Sequence, residues 1–269
     1  MAKDIRVLIV EDDYYARTWM EMLLRRDWRT KVIRVVNSPA ELSIALEVIN
    51  NHNERIDMVL IDTEIPHDPR WLIESLRSLS INSPKTAILY MGVAPNAQIA
   101  QLRASSNFAG YILKGEICHS LAWAVSLATE GRIVVTPGVR DLFEKNYSLP
   151  SGSLILDGRK PIVAFSKRDQ ERSRMAFIFS MERHEFADEL GITEDYSYGV
   201  VSALYDKMRL NDVLEGKVEP EQFLGNHPAV INQLKRTLEH LKSTGSTKAK
   251  NMESLAFHLL TMPDIDEIP

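Results

Sequence analysis

Charged side chains stand directly after three apolar segments of the kind that form buried strands. The segment VLIV is followed by Glu11, Asp12 and Asp13, the segment VLI by Asp62, and the segment YIL by Lys114. Burying an unpaired charge costs much free energy. We therefore expect carboxylates at strand ends to be paired, hydrogen-bonded or used in chemistry.

These side chains would converge if the three strands lie side by side in a parallel sheet, because the carboxyl ends of parallel strands share one edge. Crowded carboxylates repel one another, and a hard divalent cation relieves this repulsion. Mg²⁺ fits such a site because it takes few protein ligands and prefers phosphate oxygens for the rest. The alternative, ordinary solvated acids in loops, is disfavoured by their placement at strand ends.

Apolar runs alternate with amphipathic segments through about the first 130 residues. Short, wholly apolar strands separated by helices indicate a parallel sheet covered on both faces. Ser38, Pro39 and Glu41 carry the signals of a helix start, with a capping box. We predict an α/β domain, a doubly wound five-stranded parallel sheet, with strands at Val7–Val10, Val32–Val36, Met58–Ile61, Ala87–Met91 and Tyr111–Leu113.

Length and composition point to a two-domain globular protein. The chain has 269 residues, a hydrophobic content of 45% and a formal net charge of −5. This length predicts about two domains, and the charge offers no general attraction to nucleic acid or membranes. The single cysteine, Cys118, excludes an intrachain disulfide and suits the cytoplasm. No segment is long enough to predict a membrane span.

The segments VLIVEDD, VLIDTEIP and GYILKG, in this order and spacing, resemble the receiver domain of bacterial two-component response regulators, which is flavodoxin-like. The resemblance covers about residues 5–130, and we place the domain at 1–145. It implies that Asp62 accepts a phosphoryl group from a sensor histidine kinase. It also implies that Glu11 and Asp12 hold Mg²⁺ together with Asp62, that Lys114 pairs with the acyl phosphate, and that Tyr111 is the switch aromatic.

The sequence departs from the receiver pattern at the end of the fourth strand. The family places a serine or threonine there, whose hydroxyl bonds the phosphoryl group, but this position falls on Met91 or Gly92. Neither side chain is a hydrogen-bond donor, and Thr86 lies too early in the strand to substitute. We therefore expect the switch at Met91 and Tyr111 to couple weakly to phosphorylation.

The rest of the chain predicts an all-α second domain. Residues 146–164 are rich in Ser, Gly and Pro and indicate a linker, and residues 165–225 have helical spacing. This stretch resembles a degenerate LuxR-type helix-turn-helix domain, with Gly191 as the break between the two helices. The positions that carry the resemblance are Glu185, Ala187, Leu190, Ile192 and Lys207.

Its predicted recognition helix, residues 194–207, has few side chains suited to DNA. Phosphate contacts call for Lys or Arg, and base edges for Arg, Asn or Gln, whereas this helix carries Glu194, Asp195 and Asp206. Residues 149–269 hold 15 Lys and Arg against 19 Asp and Glu. If duplex DNA is bound, we expect phosphate contacts from Lys167, Arg168, Arg172 and Arg174 and base contacts from Tyr196, Ser197, Tyr198 and Ser202. A solvated helix face is an equally good interpretation of the basic cluster.

Residues 226–269 form a predicted C-terminal helical extension. Two amphipathic segments repeat apolar residues at helical spacing, each over fewer than two heptads, which is too short to establish a coiled coil. A helical hairpin packed on the second domain is the favoured interpretation. A dimerisation element, which would make the chain a homodimer, is the alternative.

Together these features predict a phosphorelay response regulator that acts as a DNA-binding transcription regulator. A different class of function remains open: a signalling adaptor whose degenerate helix-turn-helix domain binds protein. An enzyme is not expected. An aspartyl-phosphate hydrolase would need its own substrate pocket, and neither a GxGxxG motif nor a P-loop is present.

Overall fold

The structure of the protein is a computed structural model. It describes residues 4–52, 54–65, 85–96, 107–146, 148–159, 165–219 and 227–269. The chain forms two compact units. The first comprises residues 1–159 together with 265–269, and the second comprises residues 160–264.

The first unit is built on one sheet in which the strand order is β2-β1-β3-β4-β5-β6-β7-β8. Every pair from β2 to β7 is parallel, so the predicted doubly wound sheet is confirmed. The strands are β1 (Ile5–Val10), β2 (Thr30–Val36), β3 (Met58–Asp62), β4 (Ala87–Gly92), β5 (Phe108–Leu113), β6 (Val134–Val135), β7 (Leu154–Asp157) and β8 (Asp264–Glu267).

The described helices of this unit cover the sheet. β1, β3, β4 and β5 are almost wholly buried, as expected for parallel strands with both faces covered. The helices are α1 (Tyr14–Arg26), α2 (Pro39–Asn51), α3 (Lys114–Ile117), α4 (Leu121–Thr129) and α5 (Pro137–Asn146). Pro66 and the residues that follow it, up to 84, lie outside the described residues.

Side-chain caps define where the first two helices begin. Asp13 is the N-cap of α1 and accepts a hydrogen bond from the Ala16 amide at 2.6 Å. At α2 the Ser38 hydroxyl accepts from the Glu41 amide at 3.3 Å, while the Glu41 carboxylate accepts from the Asn37 amide at 3.0 Å. The start of α2 predicted from sequence is thus confirmed.

A buried ion pair within the turn after α1 lies against α4. The guanidinium of Arg29 donates to both carboxylate oxygens of Asp27, at 2.9 and 2.6 Å, and lies 4.2 Å from the ring centroid of Trp123. A buried ion pair needs such close geometry to offset its desolvation. The cation–π contact joins this turn to α4.

The sheet has eight strands, which corrects the predicted five. β7 lies inside the predicted linker, at residues 146–164, and β8 lies at the end of the predicted helical extension, at 226–269. Two backbone hydrogen bonds join the start of β7 to the end of β8. The Gly152 amide donates to the Ile268 carbonyl at 2.8 Å, and the Ile268 amide donates to the Ser153 carbonyl at 2.9 Å. These segments belong to the sheet because their apolar residues complete its core, including Ile155 and Ile268.

The second unit is helical in its described residues. Its elements are α6 (Lys167–Ser173), a π-helical turn (Arg174–Ile178), α7 (Arg183–Leu190), α8 (Glu194–Lys207), α9 (Leu210–Leu214), α10 (Pro228–Ser243) and α11 (Lys248–Leu260). Gly191 ends α7 in the left-handed conformation, with φ 62°, which glycine adopts at little cost. The predicted helix–break–helix arrangement is confirmed, and the predicted bounds of residues 194–207 agree with α8.

The C-terminal helices α10 and α11 pack against each other, and α11 also packs on α9 and the π-helical turn. The apolar residues of the two predicted amphipathic segments are mostly buried at these contacts, among them Leu234, Leu241, Leu255 and Leu259. The interpretation as a helical hairpin packed on the second domain is therefore confirmed. None of the described helices is long and apolar enough to cross a membrane.

We predict that Gly110→Ala destabilises the first unit. Gly110 pairs with Val134 in the ladder between β5 and β6, has φ +147°, and leaves only 1.9 Å between an added Cβ and the Val134 carbonyl oxygen. Backbone strain together with overpacking should cost roughly 2–4 kcal/mol of unfolding free energy. Urea unfolding measures it. Gly115→Ala, whose Cβ would meet nothing within 4 Å, is the matched control and should change stability by less than about 0.5 kcal/mol. Equal stabilities of the two variants would contradict the close packing of β5 on β6.

Candidate functional site at the carboxyl edge of the sheet

The register of the central strands brings the predicted acids together. Val10 pairs with Ile61, and Asp62 pairs with Met91. Glu11 follows β1 directly and Asp62 ends β3, so the two carboxylates meet at the same edge of the sheet. Lys114 follows β5, beside the end of β4. We call Glu11, Asp12, Asp62 and Lys114 the carboxyl-edge site.

The carboxyl-edge site is an ion-pair network that is largely buried. The Lys114 ammonium lies 2.7 Å from Glu11 Oε2 and 3.5 Å from Asp62 Oδ2. Glu11 is fully buried, Asp62 is 5% exposed and Asp12 is exposed. Glu11 also accepts from the Asp13 amide at 3.1 Å, and Asp62 accepts from the Glu64 amide at 3.2 Å. The site is thus enclosed on the side of Glu11 and open on the side of Asp12.

Burial perturbs the titration of the network. It raises the pKa of Glu11 to about 7, against the opposing effect of the hydrogen bond from Lys114, and the charge of Asp62 raises it further. Burial also raises the pKa of Asp62, which the charge of Lys114 opposes. For Lys114, burial acts to lower the pKa, but the hydrogen bond to Glu11 and the charge of Asp62 outweigh it and raise the pKa. Lys114 is therefore cationic at neutral pH.

The donor set fits a hard divalent cation. Glu11, Asp12 and Asp62 each offer one carboxylate oxygen, and these three oxygens lie within 4.8 Å of one another. All three ligands are oxygens and one is solvent-accessible, which suits Mg²⁺ with water or phosphate in its remaining positions. The predicted convergence of the three acids with Lys114 is thus present in the structure.

The two predicted switch residues lie beside the site. Met91 is fully buried on β4, in register with Asp62. Tyr111 is fully buried on β5, and its hydroxyl donates to the Ala94 carbonyl at 2.5 Å. Burial raises the pKa of Tyr111, while a hydrogen bond from Thr63 lowers it.

Sequence reasoning missed Thr63, which follows Asp62 directly. A Cβ added to Gly92 would lie 2.7 Å from Thr63 Oγ1 and 2.7 Å from the Tyr111 hydroxyl. The space that a side chain at residue 92 would occupy is therefore taken by these two hydroxyls. The available signal was a hydroxyl residue next to the phosphoacceptor candidate, in a chain whose fourth strand ends without one.

The residues predicted to bind DNA lie in the second unit and only partly on its surface. Lys167 and Arg168 are exposed in the first turn of α6, Arg174 is exposed, and Arg172 is half-buried. On α8, the exposed side chains of the predicted base-contacting set are Tyr196, Tyr198 and Ser202.

Ser197 must be removed from the predicted base-contacting set. It is fully buried, and its hydroxyl donates to the Glu194 carbonyl at 2.6 Å. The reason is helical geometry, because Ser197 shares the inner face of α8 with Val200, Val201 and Leu204.

No family model and no curated protein matches the sequence. Solved structures do resemble it. The receiver domain of RcsB from Salmonella enterica serovar Typhimurium, determined with the phosphomimetic BeF3−, is 16% identical, with a TM-score of 0.43, over 52% of this chain and 99% of that chain. A structure of RcsB dimers bound to DNA is 16% identical, with a TM-score of 0.43, over 75% of this chain and 90% of that chain. The response regulator ChrA of a heme-sensing two-component system is 23% identical, with a TM-score of 0.40, over 76% of this chain and 90% of that chain. These three solved structures come from the response regulators RcsB and ChrA, and each is less than 25% identical to this chain.

We predict that Glu11 makes the metal-free protein less stable as the pH rises. Its pKa is about 7 in the folded protein against an ordinary 4.5, so between these values the folded state holds a proton that the unfolded chain has lost. The stability from this proton is fully present below about pH 4.5 and is lost as the pH rises through 7.

Urea unfolding of wild type and Glu11→Gln, in chelator, at pH values from 5 to 8 measures this effect. The stability of the wild type relative to the variant should fall by about 2 kcal/mol over this range, because one pKa unit corresponds to about 1.4 kcal/mol. A relative stability that is constant or increases with pH would contradict the buried, protonated state of Glu11.

Proposed function

We propose that this chain is a response regulator in which Asp62 accepts a phosphoryl group from the phosphohistidine of a sensor kinase. The observation that carries the proposal is the placement of Asp62 at a strand end, 3.5 Å from the Lys114 ammonium, with Glu11 and Asp12 beside it. A lone buried acid would be costly, whereas an acid held next to a fixed cation is arranged for chemistry that develops negative charge.

In the proposed transfer, one carboxylate oxygen of Asp62 attacks the phosphorus in line with the P–N bond of phosphohistidine. The O–P bond forms with an electron pair from the carboxylate, while the pair of the P–N bond returns to the imidazole nitrogen. Little covalent work is left to the protein, so positioning and charge stabilisation supply the catalysis. The Glu64 amide, which donates to Asp62 Oδ1, holds the other carboxylate oxygen and so orients the nucleophile.

Lys114 has two roles in this proposal. Before transfer it neutralises the buried carboxylates of Glu11 and Asp62, and after transfer its ammonium offsets the negative charge of the acyl phosphate. Because its pKa is raised, it keeps its proton throughout. Mg²⁺, when bound by Glu11, Asp12 and Asp62, supplies further positive charge to phosphoryl oxygens. The chain acts here as a phosphoacceptor in the cytoplasm and not as an enzyme on an external substrate.

We predict that Asp62→Asn abolishes phosphorylation by acetyl phosphate with Mg²⁺, because the amide is not a nucleophile. Intact mass spectrometry measures the incorporated phosphate, which hydroxylamine should remove because it cleaves acyl phosphates. Asp13→Asn is the matched control, since Asn also caps helices and the Asp13 carboxylate serves as the cap of α1. The Asp13→Asn variant should be phosphorylated to the same extent as wild type. Label that persists on Asp62→Asn would show that another residue is the acceptor.

For the second unit we propose binding to duplex DNA. α7, the Gly191 turn and α8 have the order of a helix-turn-helix, and Tyr196, Tyr198 and Ser202 are exposed on α8. The arrangement is held from behind by Phe177, which stacks on Tyr205 with ring centroids 5.0 Å apart. The basic cluster from Lys167 to Arg174 offers cations for phosphate contacts.

The charge of α8 favours the second candidate, a protein-binding adaptor. Asp195 and Asp206 are exposed on the outward face of α8, where they would repel phosphates. Lys207 is held by Asp169 at 2.6 Å, and the guanidinium of Arg183 lies 5.4 Å from the Tyr198 ring centroid. These cations would have to exchange partners in order to contact DNA. One copy of the chain would then bind DNA weakly, and two copies would need to bind together as a dimer.

We predict weak DNA binding with a shallow salt dependence. Each neutralised phosphate contributes a slope of about −0.9 in log K against log salt, so few basic contacts give a slope shallower than about −4. Fluorescence anisotropy of the full-length protein on genomic fragments, between 50 and 200 mM salt, measures it. Arg168→Ala should reduce the slope by about 1, whereas Lys242→Ala, on the C-terminal hairpin, should leave it unchanged.

The predicted base contacts are tested in the same assay. Tyr198→Ala with Ser202→Ala should weaken binding to the preferred sequence and reduce sequence preference, because phosphate contacts do not depend on sequence. Unchanged binding would remove α8 as the reading helix. The absence of any binding at low salt, also for a dimer, would leave the adaptor function.

A further inference from the structure

The end of β4 is shaped around the hydroxyl of Thr63. A Cβ on Gly92 would lie 2.7 Å from Thr63 Oγ1, a distance at which one of the two atoms must shift. The Thr63 amide donates to the Met91 carbonyl at 2.8 Å, which ties the backbone after Asp62 to β4. The Thr63 hydroxyl is thus held at the end of β4, where a side chain of residue 92 would otherwise project.

Tyr111 is the present partner of this hydroxyl. The Tyr111 oxygen accepts a hydrogen bond from the Thr63 side chain and another from the Asn96 backbone, and it donates to the Ala94 carbonyl. A phenolic hydroxyl has one proton and two acceptor positions, so the oxygen of Tyr111 is fully satisfied. Tyr111 therefore needs no phosphoryl group to remain buried.

Two other threonine hydroxyls near these strands have partners elsewhere. Thr86 stands at the opposite end of β4 and donates to the Ile56 carbonyl at 2.9 Å. Thr136 accepts from the Leu113 amide at 3.0 Å. Within the described residues, Thr63 carries the hydroxyl adjacent to Asp62. This hydroxyl lies beside the end of β4, the strand that pairs with β3.

We infer that Thr63 positions the phosphoryl group on Asp62 by donating its hydroxyl proton to a phosphoryl oxygen. This inference rests on the proposed function of Asp62. On phosphorylation, Thr63 exchanges a neutral acceptor, the Tyr111 oxygen, for a charged one, and hydrogen bonds to ionised groups are about twice as strong as neutral ones. The donor comes from the residue directly after β3, and its hydroxyl lies in the space that a side chain at Gly92 would need.

The exchange has a consequence for Tyr111. When Thr63 turns to the phosphoryl oxygen, Tyr111 loses one of three hydrogen bonds but keeps those with Ala94 and Asn96. It stays buried in both states. Signalling through this site then proceeds with Tyr111 fixed and Thr63 as the group that changes partner.

The test uses beryllofluoride, which binds an aspartate carboxylate as an analogue of the phosphoryl group, with the full-length protein and Mg²⁺. Calorimetry gives the dissociation constant. Thr63→Val removes the donor and should weaken binding about five- to tenfold, because the variant lacks a hydrogen bond to a charged group in the bound state and only a neutral one in the free state. Thr63→Ser restores the hydroxyl and should bind within about twofold of wild type. Thermal unfolding without beryllofluoride shows whether any loss arises from misfolding.

A second variant separates donation to the ligand from a purely structural role. Tyr111→Phe removes the oxygen to which Thr63 donates, so Thr63 no longer gives up a hydrogen bond when the ligand arrives. It should bind beryllofluoride about two- to tenfold more tightly than wild type, the equivalent of one neutral hydrogen bond. If Thr63 served only to hold Tyr111, this variant would bind no more tightly than wild type.

Binding by Thr63→Val as tight as that of wild type, or by Thr63→Ser as weak as that of Thr63→Val, would overturn the inference about Thr63 and leave Asp62 as the acceptor. Wild type that binds no better than Asp62→Asn would overturn both proposals. The two failures are thus distinguished in one series of titrations.

Discussion

The ammonium of Lys114 is the interaction on which the carboxyl-edge site depends. Two carboxylates, Glu11 and Asp62, are buried side by side at the ends of β1 and β3, and Lys114 is the cation that reaches both. Removing one member of a buried, paired network leaves an uncompensated charge and is strongly destabilising. The strand order β1-β3-β4-β5 places these groups at one edge, so the sheet register and the electrostatics of the site cannot change independently.

In the first unit the sheet continues beyond β5. β5 would be an edge strand in a five-stranded sheet, and an exposed edge invites unwanted pairing. Here β6, β7 and β8 continue the sheet, and Gly110 allows β6 to approach. The last strand comes from the end of the chain, with Glu267 pairing with Arg132 at 3.0 Å. Both ends of the second unit therefore lead into segments of the first.

In the second unit, the fold does not by itself determine what the unit binds. Its helices were predicted well because apolar spacing and Gly191 as a stop are local signals. Which side chains of α8 face outward is set by packing, and packing placed Ser197 inside. A helix-turn-helix shape with Asp195 and Asp206 outside does not by itself assign a partner, because function depends on the site and not on the fold.

Local patterns in the amino-acid sequence are enough to establish the alternation of strands and helices, the helix caps and the acids at strand ends, because each has a strong stereochemical cause. The same patterns are enough to group Glu11, Asp12, Asp62 and Lys114 as one site. Tertiary packing was needed to show that β7 and β8 join the sheet, since a short apolar strand in a segment rich in Ser, Gly and Pro carries almost no periodic signal. It was also needed to show that the Thr63 hydroxyl occupies the space beside Gly92. That relation joins neighbouring strands through space, and no spacing along the chain records it.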